Sequence, residues 1–444
     1  MNRIYKIMFI FFITITVIFS TCIISLADDD ENEEQVEFGE SIEEIKKIEE
    51  ENKAAEVIQS TNETSSNISN QSTNQVSNNT EKKGTTKPTI NSRRYVIYDR
   101  ASKLPIYGKD ENKQTAMAST TKILTAIITL EKCENLNQEV IIENKAANVG
   151  GSKLGLKSGD KLTVNDLLYG LLLRSGNDTA VALALHLGGS IEGFAKLMNE
   201  KAQELELKNS HFVTPHGLDD PAHYTTAVEL AKLTDYALKN TKFVEIVRSK
   251  NATININGTP REIHNTNEVL CSDIEGVYGV KTGFTNNAGR CLVTSVKRNN
   301  MDLIVVVLMA DTRKDRAKDT VQLIDYAFKT YRMENIKEKI NEEFRNWKQI
   351  NEKRIFVYKA SSQIQTKLDT NIPIKQIATD QEIKIEINSI TYLEAPVMEN
   401  LKVGTVVIRN GENIVESVDI LVDKTVNKKG IMDYITMFGK AMVL

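Results

Sequence analysis

Three short runs of this chain carry the residue types that acyl transfer needs, and they fall in order: Ser119-Thr120-Thr121-Lys122, Ser175-Gly176-Asn177 and Lys281-Thr282-Gly283. In the first, Lys122 lies one helical turn after Ser119, on the same face. The residues that follow, Ile123 to Ile128, are apolar nearly all round, so the helix they form is expected to be buried. A lysine at the start of a buried helix loses water. Its pKa falls, and the neutral amine can take a proton from a serine. A serine at that N-terminus also sits where backbone N–H groups favour a developing oxyanion. The plain structural alternative is an N-cap serine and a surface lysine. Ser158-Gly159-Asp160-Lys161 fits the same spacing, but its Gly and Asp make a turn that opens no apolar helix.

Ser175-Gly176-Asn177 lies between two apolar helical patterns, with Asp178 placed to cap the second. An ordinary helix–turn–helix would look the same, and Ser-x-Asn recurs at Ser72-Thr73-Asn74 and Ser249-Lys250-Asn251, so position distinguishes this copy. Lys281-Thr282-Gly283 occurs once and ends a strand where a hairpin begins. Lys281 and the Thr282 hydroxyl suit a carboxylate, and Gly283 admits a close backbone approach. A strand end can also carry Lys and Thr with no such purpose. His211, His216 and His223 cluster near Asp219 and Asp220, but their spacing is irregular and no His-Glu-x-x-His helix exists, so no metal is expected. No glycine-rich phosphate loop is present, and no cofactor is expected.

Elements must hold these runs in place. Tyr95–Tyr98 and Leu104–Tyr107 read as paired strands. Helical patterns follow at Thr120–Glu131, Val164–Arg174, Thr179–Leu187, Ile191–Leu205 and Thr226–Leu238. Strand signal returns at Tyr278–Thr282, Arg290–Val296 and Leu303–Ala310, and a charged helix over about Arg316 to Tyr331 closes the unit. Strands at both ends with helices between them predict an α+β domain over 93–335: an antiparallel sheet with a helical insertion. Residues 336–353 read as a charged connector, 354–425 as a small all-β domain of alternating strands, and 430–444 as an amphipathic terminal helix. That helix sets Ile431, Ile435, Phe438 and Met442 on one face, which suits a membrane surface or packing on its own domain.

The 444 residues are 41% apolar with a net charge of −4, enough for a real core and a poor match to non-specific nucleic-acid binding. Residues 28–57 hold fourteen acids against three lysines, so an acidic head precedes a mildly basic body. Arg3 and Lys6 precede an apolar run from Ile7 to Phe19 and then Ser25-Leu26-Ala27. These are the features of a secretory signal peptide over 1–27, a retained membrane anchor being the alternative. Cleavage there leaves Cys133, Cys271 and Cys291, no disulfide framework. Residues 28–92, acidic and weakly helical at first and then Ser/Thr/Asn-rich, are expected to be a disordered spacer.

The chain resembles the low-molecular-weight penicillin-binding proteins that are serine D-alanyl-D-alanine carboxypeptidases. The likeness runs from Met117-Ala118-Ser119-Thr120-Thr121-Lys122 through Asp166–Asp178, Asn209-Ser210-His211-Phe212 and His216-Gly217-Leu218-Asp219 to Gly279–Thr285 and Ala288–Val293. It covers roughly Arg93 to Tyr331 and implies a β-lactamase/transpeptidase-like catalytic fold. It further implies that Ser119 attacks a peptidoglycan stem peptide ending in D-Ala-D-Ala, with Lys122 as base and Ser175 as proton relay. Asn177 would orient substrate and lysine. Lys281 and Thr282 would bind the terminal carboxylate with a contribution from Arg316, Gly283 would let the substrate backbone come close, and the N–H groups of Ser119 and Phe284 would receive the oxyanion. The implied partners are that peptide, β-lactam antibiotics as acylating inhibitors, and a peripheral membrane contact. The implied location is the extracytoplasmic envelope of a bacterium, on the outer face of the cytoplasmic membrane. Two departures stand out: Asp99–Lys103 lacks the usual Thr-Gly turn, and Phe284 stands where some relatives carry His. A β-lactamase-like hydrolase would need a glutamate to activate water, and Glu204-Leu205-Glu206-Leu207-Lys208 lacks the Glu-x-x-Leu-Asn pattern. A non-catalytic envelope protein that binds penicillin or stem peptide is the other alternative.

Overall fold

The computed structural model describes residues 38–51, 86–371 and 376–441; the leader expected over 1–27 lies outside the described residues. Two compact units emerge. The first takes the described residues up to Tyr98 with Tyr107–Arg298 and Leu303–Tyr326; the second takes Asp99–Ile106, Asn299–Asp302 and everything from Ala327 on.

A five-stranded sheet, most of whose residues belong to the first unit, runs in the order Leu104–Lys109, Arg94–Asp99, Met301–Ala310, Gly289–Arg298, Val277–Thr285. Strands from the two ends of the domain therefore lie side by side, with the helices inserted between them, as the pattern predicts. Residue pairs Thr282↔Leu292 and Thr285↔Gly289 fix the register of the last hairpin, and with it the place of Lys281. The helices start where side chains can take up orphan backbone N–H groups. Thr163 accepts from Asp166 ahead of Val164–Leu173, Ser190 from Gly193 ahead of Ile191–Glu204, and Thr226 from Glu229 ahead of Ala227–Ala237. Lys122–Lys132 runs through the middle of this layer, with residues 122 to 129 buried on every side. A hairpin of Asn251–Ile256 and Thr259–His264 went unread in the sequence, although Asn257-Gly258 is a hairpin-turn signal; both residues take left-handed φ, +53° and +79°.

The acidic head departs from the expected spacer. Residues 38–51 form a helix with Ser41 and Ile45 fully buried, Glu44 paired with Lys314 and Lys318, and Phe38 near the Arg313 guanidinium. Ser41 and Ile45 fall at i and i+4, and acid meets the basic helix Arg313–Thr330. Order also begins before Arg93, since Ser92 donates from N and Oγ to buried Asp319.

In the second unit the four-stranded sheet runs Thr366–Leu368, Asn413–Val422, Lys402–Asn410, Ile383–Ser389. The charged connector is not a linker. It folds as the helix Ile336–Asn351, whose Ile336, Ile340 and Phe344 recur every fourth position and are buried in this unit's core. At the turn lacking Thr-Gly, the Asp99 carboxylate accepts from Ala101 N, Ser102 N and Ser102 Oγ, and Lys103 takes φ +62°. The terminal helix spans Ile431–Ala441, and its described side chains are exposed. Among the described residues no helix is long and apolar enough to cross a membrane.

Candidate active site

Ser119 lies in a 3₁₀ turn, Ala118–Thr121, which leads directly into the helix Lys122–Lys132. The turn is held under strain. Ala118 takes φ +48°, and Gly217, at φ +87°, passes so close beneath it that a Cβ there would stand 1.9 Å from the Ala118 carbonyl oxygen. Gly217 can therefore be nothing but glycine. The hydroxyl of Thr120 donates to Met117 O at 2.6 Å, and that of Thr121 to Ala118 O at 2.8 Å. His223 completes the brace. Its Nδ1 accepts from Val213 N at 2.9 Å, so Nε2 carries the proton and donates to Thr121 Oγ1 at 2.8 Å. Burial pushes the His223 pKa down to about 4, so the ring stays neutral in that tautomer.

Lys122 is fully buried, and its Nζ stands 2.7 Å from Ser119 Oγ, 2.7 Å from Asn177 Oδ1 and 2.9 Å from His216 O. Burial holds its pKa well below the usual lysine value, and the nearby Lys281 charge acts the same way; Asp178 opposes them. A neutral amine has two protons and one lone pair. With two fixed acceptors in Asn177 and His216, its lone pair is left for the Ser119 hydroxyl proton. Asn177 is fixed in turn, for its Nδ2 donates to Gly150 O at 2.7 Å and its backbone N to Ser152 O at 2.8 Å. The same loop is tied by Asp178, whose carboxylate accepts from Leu154 N, Gly155 N and Leu156 N. Ser175, just before, is buried with φ +59°, a strained conformation for a serine.

The strand Val277–Thr285 meets the nucleophile turn at Gly283, where a Cβ would lie 3.0 Å from Ser119 N and 3.1 Å from Thr120 N. Lys281 is buried, with Nζ donating to Thr282 O at 2.9 Å, and burial together with the Arg316 charge lowers its pKa to about 7. Thr282 Oγ1 shares a hydrogen bond with Thr266 Oγ1 at 2.8 Å. Phe284 is half exposed beneath the Arg290 guanidinium, 3.9 Å from its ring centroid. Arg316 is buried too. Its Nε and Nη2 donate to the Glu268 carboxylate at 2.5 to 2.9 Å, so it reaches Lys281 through its charge.

The fold thus joins Ser119, Lys122 and Asn177 by hydrogen bonds, brings Gly283 against Ser119, and couples Lys281 to Lys122 and Arg316 electrostatically. Glu268 and Thr266 escaped the sequence reading, and His223 was seen only as one of three clustered histidines. Asp178 was read only as a cap, and no local pattern marks the others. The three clustered histidines face separate partners: His211 Nδ1 meets Ala222 O, His216 Nδ1 accepts from Leu218 N, and His223 braces Thr121. Among the described residues no group of His, Cys, Asp or Glu is placed to hold a metal. Glu204, the glutamate weighed for a water-activating role, is more than half exposed and paired with Lys201 at 2.6 Å.

Comparison with known proteins shows the family of the chain. The family profile described as D-alanyl-D-alanine carboxypeptidase matches residues 81–312. The chain is 30% identical over 345 residues to the D-alanyl-D-alanine carboxypeptidase DacF of Bacillus subtilis, covering 77% of this chain and 87% of the relative. It is 30% identical over 369 residues to DacA of Haemophilus influenzae, covering 80% and 88%. The crystal structure of penicillin binding protein 5 from Haemophilus influenzae superposes with a TM-score of 0.63 at 27% identity, covering 78% of this chain and all of that one.

Proposed function

The chain belongs to the D-alanyl-D-alanine carboxypeptidase family and is a serine-type carboxypeptidase hydrolase; from that premise we propose that Ser119 is the nucleophile and Lys122, in its neutral form, the general base. The substrate is a peptidoglycan stem peptide ending in D-Ala-D-Ala. Ser119 Oγ attacks the carbonyl of the penultimate D-Ala while its proton passes to Lys122 Nζ. The N–H groups of Ser119 and Phe284 receive the oxyanion. Collapse breaks the peptide bond, the proton returns to the departing D-Ala amine through Ser175, and an ester remains on Ser119. Water then adds to the ester, giving a proton to Lys122, which returns it to Ser119 Oγ as the ester bond breaks and the shortened peptide leaves.

Lys281, Thr282 and the close approach at Gly283 hold the terminal carboxylate, and Arg316 strengthens the positive field from behind Lys281. Asn177 orients both Lys122 and the peptide. A β-lactam acylates Ser119 by the same attack and leaves a long-lived ester; Glu204, the glutamate weighed for activating water, is paired with Lys201 at the surface. The enzyme works outside the cytoplasm, delivered by the leader at 1–27. The exposed apolar face of Ile431–Ala441 rests on the membrane surface, since a helix packed on its own domain would hide Ile431 and Phe438, which are 80% and 65% exposed.

The single observation that carries this reading is the buried Lys122 Nζ, 2.7 Å from Ser119 Oγ, with two further acceptors already fixed. Intact-mass spectrometry after incubation with a labelled penicillin tests it. One long-lived adduct, absent in Ser119→Ala, is expected, together with release of D-Ala from a pentapeptide by the unmodified enzyme. An adduct that turns over within seconds would move the assignment to a β-lactamase. No adduct on folded protein would leave a binding protein without catalysis.

A further inference from the structure

The parallel pair Phe356–Tyr358 and Tyr392–Glu394 of the second unit alternates inward and outward. Its inner residues, Val357 and Leu393, pack against the domain core. A solvated face ordinarily carries polar side chains; here it carries Phe356, Tyr358 and Tyr392, with Glu394 opposite Tyr358 and 3.5 Å from Lys359. Phe356 and Tyr392 stand directly opposite each other with ring centroids 5.9 Å apart, yet they are 59% and 57% exposed. Tyr358 is also exposed, with Lys359 Nζ 4.6 Å from its ring centroid. No catalytic step uses these rings.

This face runs into the terminal helix. Lys429 N donates to Lys359 O at 2.8 Å, Ala360 bridges to Lys428, and the helix Ile431–Ala441 begins after Gly430. Lys353, Arg354 and Lys359 flank the first strand in sequence and Lys428 and Lys429 are joined to its end, against the acids Glu394 and Asp433. Exposed aromatic rings set among lysines, continuous with an amphipathic helix, have the composition of a bilayer interface. Charge complementarity names the headgroups as anionic. A sugar platform fits less well, because Lys359 covers the Tyr358 ring that a sugar would stack on.

We propose that Phe356, Tyr358 and Tyr392 form a second membrane-contacting element, which with the terminal helix seats this unit on a bilayer bearing anionic lipid. The inference rests on the membrane reading of the terminal helix and adds a contact independent of it.

Co-sedimentation of the leader-free chain with phosphatidylcholine vesicles, with and without phosphatidylglycerol, tests it. Four further proteins are compared: Phe356→Ser/Tyr392→Ser, a chain ending at Gly430, the two changes combined, and Phe356→Trp. The double variant should bind phosphatidylglycerol vesicles about tenfold more weakly, with an unchanged urea midpoint and unchanged acylation of Ser119. The shortened chain should keep weak, salt-sensitive binding that the combined variant loses, and Phe356→Trp should bind at least as well as the parent. Full binding by the double variant, with none by the shortened chain, would make the helix the sole contact and overturn this proposal alone. No vesicle binding by the parent would overturn both readings. Loss of binding to isolated peptidoglycan by the double variant, with vesicle binding intact, would make the face a glycan site instead.

Discussion

In the first unit Arg316 and Glu268 meet at 2.5 Å with side chains 3% and 0% exposed; in the second, Arg409 and Glu386 meet at 3.1 Å with side chains 31% and 48% exposed. The first pair sits in a region that also buries Lys122, Lys281, Asp178 and Asp319, each against fixed partners. The second unit buries Asp99, which accepts from Ser102 N and Oγ, but Arg409 and Glu386 stay partly in water, and its unusual exposure is of aromatic rings. Burial changes what a charge can do. Out of water Lys122 gives up its proton, Lys281 titrates near neutrality, and Arg316 acts at a distance through its field. At the surface the same groups serve solubility or contact.

The contrast can be broken first where chemistry depends on it most. Lys122→Ala removes the base and should slow acylation of Ser119 by about 10²- to 10⁴-fold, read by stopped-flow with a fluorescent penicillin. A surviving rate within threefold of the parent would place the base elsewhere. Glu268→Ala leaves Arg316 buried without its counter-charge, and urea unfolding should show a loss of about 3–5 kcal/mol. A smaller loss than that from an average surface change would mean the pair is better hydrated than its burial implies.

Titration offers a finer test. Lys281 must be cationic to hold a carboxylate, so kcat/KM should fall as pH rises through about 7, approaching tenfold per pH unit. A bound carboxylate favours the charged lysine, so the limb in kcat should lie at higher pH. The two limbs coinciding would argue that Lys281 does not meet the substrate. The smallest effect belongs to the exposed pair: Arg409→Ala should cost less than about 1 kcal/mol in stability and leave acylation unchanged.

Much of the catalytic unit was legible because its signals are local. The helices from Val164, Ile191 and Ala227 follow an apolar period and begin at Thr163, Ser190 and Thr226. The pairing of the chain's two end hairpins followed from strand signal at both ends. Ser119, Lys122 and Asn177 were readable as motifs, and the fold joins them at hydrogen-bond distance. What escaped is what forms only between distant segments. Glu268 gains meaning only from Arg316, 48 residues away, and His223 only from Thr121, 102 away. The stretch 336–353 was misread for a different reason. Its many charges masked Ile336, Ile340 and Phe344, and these three buried side chains anchor a helix whose other faces are wet. The acidic helix at 38–51 was hidden in the same way, since composition argued for solvation while Ser41 and Ile45 set a narrow buried stripe.

The central claim is that Lys122 is neutral when Ser119 attacks. Lysine-selective ¹⁵N labelling with direct detection of the Nζ resonance would read its charge, the signal being assigned by its loss in Lys122→Arg. The account predicts a resonance already in the neutral-amine position at pH 8, where exposed lysines of the same protein are still cationic. A Lys122 that keeps its proton up to the ordinary value near 10.5 would contradict it.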